Sequence, residues 1–410
     1  MAIALLASLA LEAQQDDPYA VRDYPFLHTG QNHLIFPGLQ DALEPIYRKM
    51  DRMLFEGKGQ IQMVHIGGSH LQADIWSDRM RERLQNFFPG TQATRGLVFP
   101  FNMAHTNNPY NYHTEYTGTW ESCKAVQRNR TCPLGLTGFS ATTRDSLCRI
   151  KVYFRGAGYP QYEFDRVRVF HDTDSSSYSV RLVNRGLRAA ESLGRNSGST
   201  LFRMGGVQTF VELEIRKTAP CQDHFTLHGI SMESDDPGIV YTAVGVNGAA
   251  TGSYLRCRLL EPHLRALAPS LVIFSIGIND ANTPEFDTQL FERNYDSLIA
   301  RVRRAVPDAC VMLTTNNDSY YQKKYPNRNA EKVRASMLRI ARKHHAVVWD
   351  LFEVMGGLGS IQSWVAAGLA SPDKIHLLRP GYELVADLMF NAFMQDYDAH
   401  LRTVHQGHQR

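Results

Sequence analysis

Apolar residues follow two different spacings along this chain. From about residue 39 to 105, and again from about 236 to the end, short apolar runs alternate with segments that have apolar residues at helical spacing. Alternating strands and helices of these lengths predict a parallel sheet with helices on both faces. The predicted strands are 60–68, 238–246, 270–280, 310–316 and 346–352, and the predicted helices are 74–88, 288–306, 329–345 and 381–397.

The segment between these two parts, from about 106 to 235, has a different pattern. Its apolar residues recur at every second position and turn-rich spacers separate the runs, as in CRIKVYF (148–154) and VELEIRK (211–217). This period of two predicts an antiparallel β-sandwich. We therefore expect an α/β domain in two parts, 39–105 and 236–401, interrupted by an inserted β domain at 106–235.

Composition and charge exclude several classes of protein. The 410 residues are 43% hydrophobic and 21% charged, which is typical of a globular chain. The 44 basic and 41 acidic residues leave a net charge of +3. This small excess, without a dense Lys/Arg run, argues against nucleic acid as a partner. The sequence has no CxxC or HExxH zinc spacing, and we expect no metal and no cofactor.

The N-terminus, MAIALLASLALEAQQDD, resembles a secretory signal peptide. An apolar run is followed by small residues ending at Ala13, although no Lys or Arg precedes the run. Cleavage after residue 13 would place the protein in the periplasm or outside the cell. The alternative is an N-terminal extension, disordered or helical. No apolar run is long enough to span a bilayer.

Export bears on the six cysteines. In an oxidising compartment Cys123 and Cys132 could close a small loop, and Cys148 and Cys221 could form a second disulfide. Cys310 begins the apolar run CVMLTT, and we expect it to be a buried thiol. The sequence alone does not fix this pairing.

Polar residues that could carry chemistry follow the predicted strands. Ser69 comes after Gly67-Gly68, Gly248 follows the strand 238–246, and Asn279 ends the strand 270–280. Such strand ends meet at one edge of a parallel sheet. A serine there can be a nucleophile, while backbone N–H groups and an amide can bind an oxyanion. The alternative at each position is an ordinary helix cap or turn residue.

Asp373 and His376 lie three residues apart, just before the last predicted helix. A carboxylate at this spacing can orient the imidazole, which can then accept a proton from a serine hydroxyl. The alternative is a surface Asp and His in a polar loop.

The order of these four segments resembles the SGNH hydrolases, also called the GDSL esterase family. That order is Ser after the first strand, Gly after the second, Asn after the third and Asp-x-x-His before the last helix, here within SPDKIHLLRPGYELVAD. The resemblance covers both α/β parts. It implies a three-layer fold around a parallel sheet.

A narrower resemblance is to the bacterial peptidoglycan O-acetylesterases. VHIGGSHLQADIWSDRMRERLQ is similar to their first block, and the β-rich segment lies where they carry a jelly roll similar to a carbohydrate-binding module. The resemblance implies Ser69 as nucleophile, His376 as general base and Asp373 as its partner. The backbone N–H groups of Ser69 and Gly248 and the side chain of Asn279 would then form the oxyanion hole.

One position departs from the family. Gly68 replaces the Asp of the family's Gly-Asp-Ser, a residue outside the triad that helps to fix the nucleophile turn by hydrogen bonds. Its loss can lower activity or mark a disabled enzyme. Asp74 and Asp280 are two carboxylates that could replace it structurally.

The segment RGLVFPFNMAHTNNPYNY (95–112) is a second candidate for contact with substrate. Asn107 and Tyr110 could line a sugar cleft and Arg95 could meet a glycan carboxylate. The alternative is a connecting loop with ordinary aromatic packing. His70 neighbours the nucleophile, but adjacent residues usually point apart, and we interpret it as a turn residue.

Three functions follow from these expectations. The first is an exported esterase that removes O-acetyl groups from a polysaccharide, with peptidoglycan as the substrate the resemblance favours. The second is an O-acetyltransferase that uses the same residues with a sugar hydroxyl as acceptor. The third is a glycan-binding protein with a disabled esterase domain, which Gly68 would support.

Overall fold

The structure is a computed structural model that describes residues 21–87, 90–91, 93–129, 132–154, 162–185, 190–196 and 198–408. The predicted leader at 1–13 lies outside these residues. The strands are β1 (Leu34–Ile35), β2 (Gln60–Gly67), β3 (Gly96–Val98), β4 (Tyr112–Tyr116), β5 (Glu121–Lys124), β6 (Phe139–Thr143), β7 (Leu147–Phe154), β8 (Phe164–His171), β9 (Ser179–Leu182), β10 (Ala190–Asn196), β11 (Ser199–Gln208), β12 (Phe210–Arg216), β13 (Phe225–Glu233), β14 (Gly238–Gly245), β15 (Leu271–Ser275), β16 (Cys310–Thr314), β17 (Tyr320–Tyr321), β18 (Tyr325–Pro326) and β19 (Val347–Trp349). The α-helices are α1 (Glu44–Glu56), α2 (Ser69–Gln72), α3 (Ile75–Phe87), α4 (Thr251–Leu255), α5 (Leu260–Leu267), α6 (Ile278–Ala281), α7 (Thr288–Ala305), α8 (Asn329–His344), α9 (Leu351–Val354), α10 (Ile361–Ala366) and α11 (Arg379–His408).

The central sheet has the strand order β1-β19-β16-β15-β2-β14. Only β1 is antiparallel to its neighbour, and the other pairs are parallel. The parallel strands consist largely of buried apolar residues, since helices cover both faces of the sheet. The prediction of a parallel sheet between helices is confirmed.

Side-chain alternation along β2 divides the core into two layers. Ile61 and Met63 belong to the apolar cluster that contains residues of α1, α3 and α11. Val64 and Ile66 belong to the cluster on the other face, which contains residues of α5, α7 and α8. The α/β part therefore has three layers, helix, sheet and helix.

The inserted segment forms two antiparallel sheets. One has the order β10-β11-β8-β13-β6-β5, with β3 also paired to β13, and the other has the order β4-β7-β12-β9. Alternate residues of both sheets share one apolar core, for example Ile150 and Val152 of β7 with Val167 and Val169 of β8. The predicted β-sandwich inserted in an α/β domain is confirmed. Because β3 joins this sheet before residue 106, the domain boundaries themselves stay a prediction.

The cysteines correct one of the two expected disulfides. Cys123 and Cys132 form a disulfide, which was the first of the two suggested pairings. Cys148 and Cys221 are free thiols. Cys148 faces the interior of the sandwich, whereas Cys221 is exposed in a surface turn, so the two cannot pair without rearrangement. Cys310 is a buried free thiol, as predicted.

Candidate active site

A cleft of about 630 Å³ opens at the carboxyl end of the central sheet. It is lined by residues that follow four different strands or precede α11, among them Ser69, Gly248, Asn279 and His376. Because the parallel strands β14, β2 and β15 lie side by side, the turns that follow them converge. The topology therefore brings the candidate residues to one place.

The turn that presents Ser69 lies in close backbone contact with the end of the neighbouring strand β14. Gly68 is the N-cap of α2, and Ser69 is the first residue of that helix. A Cβ at Gly245, the last residue of β14, would overlap the backbone of Gln72 and Gly68. Glycine at 245 thus lets β14 approach the turn that presents Ser69.

Two hydrogen bonds connect the serine, the imidazole and the carboxylate. Ser69 Oγ lies 2.9 Å from His376 Nε2. His376 Nδ1 lies 2.8 Å from Asp373 Oδ2. With the proton on Nδ1 donated to Asp373, Nε2 is free to accept the Ser69 proton. The His376 side chain is 42% exposed, so a substrate in the cleft can reach it.

Asp373 is held by the loop that carries the imidazole. Its Oδ1 accepts hydrogen bonds from the backbone N–H groups of Ile375 and His376, each 2.9 Å long. Burial raises the pKa of Asp373, but these bonds and the His376 ring outweigh it and leave that pKa below its usual value. Asp373 therefore stays ionised and fixes the ring of His376.

The turn after β14, which contains Gly248, lines the same cleft as Ser69. Gly248 has φ of +79°, a conformation that favours glycine. The turn is attached to α2 by Gln72, whose Oε1 accepts a hydrogen bond of 2.7 Å from Asn247 N. It is attached to α6 by Asn279, whose Nδ2 donates to Ala249 O at 2.9 Å. The second hydrogen of this amide is left for another acceptor.

Position 68, where the SGNH hydrolases have Asp and this chain has Gly, lies against the turn that contains Gly248. A Cβ at Gly68 would lie 3.6 Å from Asn279 Nδ2 and 3.8 Å from Ala249 O. Asp280 reaches the same turn from the other side, since its carboxylate accepts hydrogen bonds from Thr251 N at 3.0 Å and from Thr251 Oγ1 at 2.6 Å. Of the two carboxylates suggested as replacements, Asp280 contacts the residues that follow Gly248.

Asp74, the other suggested carboxylate, lies away from the turn that contains Gly248, which we call the candidate oxyanion turn. It is buried and forms ion pairs with Arg81 at 3.1 Å and with Arg95. Burial alone would raise the pKa of Asp74. The two guanidinium groups have the opposite and larger effect, and they bring this pKa down to about 2. Its bonds connect α3 to the start of the inserted domain, and they do not reach the cleft.

This pairing corrects the expectation for Arg95. Its side chain is only 3% exposed and its charge is neutralised by Asp74, so it is not free for a glycan carboxylate. Asn107 is exposed, and its carbonyl oxygen lies 3.5 Å from Gln72 Nε2. The Tyr110 hydroxyl donates to Asp78 at 2.5 Å, and the Arg379 guanidinium lies 3.9 Å from the centre of its ring. None of these three side chains lines the main cleft.

Two residues that the sequence did not single out as functional support the site. Gln72 holds the candidate oxyanion turn through its bond to Asn247. In the sequence, the one feature that could have pointed to it is a polar residue three positions after Ser69, on a helix face that is buried. His70, interpreted as a turn residue, packs 5.3 Å from the His376 ring, centre to centre, and bonds to the Tyr382 hydroxyl at 2.8 Å. Burial lowers the pKa of His70 to about 3, so its ring stays neutral near pH 7.

Within the part of the chain that the structure describes, no group of three or more His, Cys, Asp or Glu could hold a metal ion. The described helices also include none with the length and apolar character needed to cross a bilayer.

Comparisons with known proteins agree with this geometry. Residues 226–384 match the family model of the GDSL-like lipase/acylhydrolase family. A solved structure described as "Peptidoglycan O-acetylesterase in action, 5 min" has a TM-score of 0.71 and 20% identity, over 89% of this chain and 99% of that one. A search of curated proteins finds no match.

Two further solved structures match only part of the chain. One is a putative GDSL-like lipase from Parabacteroides merdae, with 20% identity, 38% of this chain and 72% of that one covered, and a TM-score of 0.30. Another is a GDSL-like lipase from Bacteroides thetaiotaomicron, with 19% identity, 40% and 76% covered, and a TM-score of 0.29. Both TM-scores are low, and the likeness to the structure described as a peptidoglycan O-acetylesterase is a likeness of fold.

The family match, the three-layer sheet with its inserted β-sandwich and the order of the strand-end blocks agree with each other. Residues 226–384, in the second α/β part, are thus similar to the GDSL-like lipase/acylhydrolase family.

Proposed function

We propose that this chain is an exported serine esterase that removes O-acetyl groups from a polysaccharide, with peptidoglycan as its substrate. The observation that carries the proposal is the unbroken series of hydrogen bonds from Ser69 Oγ through His376 to Asp373, at the edge of an open cleft. A serine activated in this way is suited to acyl transfer and needs no metal to cleave an ester.

In the first half-reaction, Ser69 Oγ attacks the ester carbonyl while His376 Nε2 accepts the hydroxyl proton. The negative charge on the carbonyl oxygen is stabilised by the N–H groups of Ser69 and Gly248 and by the Asn279 amide. His376 then returns the proton to the departing sugar oxygen, which leaves an acyl-serine.

In the second half-reaction, water attacks the acyl-serine and gives a proton to His376. Collapse of the tetrahedral intermediate breaks the bond to Ser69 Oγ, releases acetate and returns the proton to the serine. Asp373 keeps Nδ1 protonated in both halves and stabilises the positive charge that His376 carries in each transition state.

The choice of substrate draws on the similar structure whose description names a peptidoglycan O-acetylesterase. We also propose that the leader at 1–13 directs export of the chain. The inserted domain would form a wall of the cleft. Gly68 supports the opposing hypothesis of a disabled glycan-binding protein, but the triad distances favour an active site.

The test is release of nitrophenol from nitrophenyl acetate by the purified mature chain. We expect Ser69→Ala to lower kcat by about 10⁴-fold or more, because the remaining oxyanion donors cannot replace the nucleophile. Ser297→Ala, which removes an exposed hydroxyl on α7, is the matched control and keeps the wild-type rate.

Equal background rates in wild type and Ser69→Ala would contradict an active serine esterase. With O-acetylated peptidoglycan, acetate released into water identifies a hydrolase. Acetyl groups that move instead to an added sugar identify the acetyltransferase that uses the same residues.

A further inference from the structure

A loop of the inserted β domain forms part of the surroundings of the candidate oxyanion hole. It follows β5, and the Cys123–Cys132 disulfide closes it. We call its described residues, 124–129, the disulfide loop. A side-chain carbon built on Gly248 would lie 3.9 Å from Val126 Cγ1. The disulfide loop therefore lies directly beside the turn that presents the Gly248 N–H.

Arg256, immediately after α4, fixes the disulfide loop to that turn. Its Nε donates to Ala125 O at 3.0 Å, and its Nη1 donates to Gly252 O at 3.1 Å. The Ala125 amide is also bound, since it donates to Gly138 O at 2.8 Å. The disulfide and these bonds hold the loop in a defined position relative to Gly248, as a preorganised binding element requires.

Neither Arg128 nor Arg256 forms an ion pair with a carboxylate of the described residues. Arg256 donates to carbonyl oxygens and to the Ser253 hydroxyl, and Arg128 has no ion-pair partner among the described residues. Burial and then the positive charge of Arg128 lower the pKa of Arg256, so the two guanidinium groups lie within electrostatic reach of each other. The positive charges of Arg128 and Arg256 repel each other, and an anion bound beside them offsets this repulsion by attracting both.

A concavity of about 550 Å³ adjoins these residues and is lined by Val126, Gln127, Arg128 and Asn129. It offers one exposed guanidinium, two amides and one apolar side chain. This combination suits a sugar ring that carries a carboxylate, because the guanidinium binds the carboxylate with two hydrogen bonds and the amides bind hydroxyls.

We propose that the disulfide loop is a subsite for a carboxylate-bearing sugar next to the acetyl ester, with Arg128 as the residue that binds the carboxylate. This inference rests on the proposed function, since it concerns the substrate of the same cleft. It adds that the inserted domain selects acidic over neutral acetylated glycans through Arg128.

The test measures binding, so that it does not depend on turnover. All proteins carry Ser69→Ala, and the probe is the O-acetylated disaccharide of N-acetylglucosamine and N-acetylmuramic acid, with its carboxylate either free or converted to the primary amide. Titration calorimetry gives the dissociation constant of each form. We expect Arg128→Ala to weaken binding of the free acid by about tenfold, since a charge-assisted hydrogen bond is lost. Binding of the amide should change by less than about twofold.

Arg185→Ala is the matched control, because it removes an exposed arginine of the same inserted domain beyond β9. It should leave both dissociation constants unchanged. Added salt should reduce the preference for the acid, because it screens an exposed charge. Equal affinities for acid and amide in the parent protein, an equal loss for both in Arg128→Ala, or binding of neither form would overturn the inference. Turnover of nitrophenyl acetate by wild type, compared with Ser69→Ala, separately decides whether the chain is an esterase.

Discussion

At the scale of single residues, the position before the nucleophile is the most informative. Gly68 has φ of −101°, outside the left-handed range that favours glycine, so this angle does not itself require glycine. A carboxylate there would point toward Asn279 Nδ2 and the oxyanion turn. Here Asn279 bonds to Ala249 O, and Asp280 binds Thr251 at the start of α4. The turn is thus held from the α6 side.

A double-mutant experiment tests whether Asp280 fixes the turn at Gly248 in place of the Asp that the SGNH hydrolases have at position 68. We expect Asp280→Asn to lower kcat for nitrophenyl acetate by about tenfold, because the bonds to Thr251 weaken and the Gly248 N–H loses its orientation. Adding Gly68→Asp to this variant should recover part of the loss.

If Asp280→Asn keeps full turnover, Asp280 has no such role. Asp74→Asn is the comparison, since Asp74 does not touch the oxyanion turn, and its rate per folded molecule should match the wild type. Loss of turnover in Asp74→Asn with the fold retained would contradict this division of roles.

The sequence predicted which residues meet at the cleft but not all of their partners. Ser69, Asp373 and His376 could be predicted because each lies at a strand end or at a fixed local spacing. Arg95 was placed wrongly, because its ion pair with Asp74 depends on how α3 packs against the following segment. His70 contacts His376 because α2 and the Asp373–His376 loop pack together, which no local pattern encodes.

At the scale of elements, the loop after β16 fixes the loop that carries the imidazole. Asn317 Nδ2 donates to Ile375 O at 3.0 Å, and Tyr320 N donates to Lys374 O at 3.0 Å. Between them, Asp318 accepts hydrogen bonds of 3.0 Å from Gly359 N and from Ile361 N, at the start of α10. The position of His376 thus depends on a second loop anchored by one buried carboxylate.

This carboxylate makes stability depend on pH. Burial raises the pKa of Asp318 to about 6, although the backbone N–H groups of Ile361, Ser319 and Gly359 act in the opposite direction. The folded state therefore favours the protonated acid, and this stabilisation is present below the unfolded pKa and lost as pH rises through about 6. Asp318→Asn should remove this loss, because the amide mimics the neutral acid.

We expect the free energy of unfolding of Asp318→Asn, relative to wild type, to be larger at pH 7.5 than at pH 4.5, by up to about 2 kcal/mol. Urea unfolding at both pH values measures it. Asp308→Asn, at an exposed position before β16, should show no such difference. A pH-independent effect of Asp318→Asn would contradict the argument.

The sequence predicted most elements to within a few residues where apolar spacing was regular. The predicted helix 329–345 is α8 (Asn329–His344), and the predicted strand 238–246 is β14. The predicted strand 270–280 ends at Ser275 instead, because Gly277 is the N-cap of α6 and its φ of +154° breaks the extended backbone. The predicted helix 381–397 is part of the longer α11, which continues past the last apolar residue of the pattern.

At the scale of the whole molecule, a buried ion network connects the two parts. Arg81 pairs with Asp74 and Asp78 and donates to the Tyr241 carbonyl of β14. Asn111, just before β4, donates to both carboxylates. The network therefore links α3 of the α/β part, a strand of the central sheet and the entry to the sandwich.

Removing the central charge should destabilise the chain. Asp74→Asn leaves Arg95 buried without a carboxylate, which we expect to cost about 3 kcal/mol or more in the free energy of unfolding. Urea unfolding provides the value. Glu56→Gln, which removes an exposed ion pair with Arg52 on α1, should change it by less than about 1 kcal/mol. Comparable losses in the two variants would show that burial of the network adds nothing.

The parallel pairing of β2 with β14 has a consequence for how the protein is made. Ser69 and His376 are 307 residues apart along the chain, and the whole β-sandwich is synthesised between β2 and β14. Because synthesis runs from the N-terminus and distant strands pair late, Ser69 is present long before His376 can reach it. A nascent or truncated chain therefore carries Ser69 without His376, and the candidate triad assembles only when almost the entire polypeptide has been synthesised and folded.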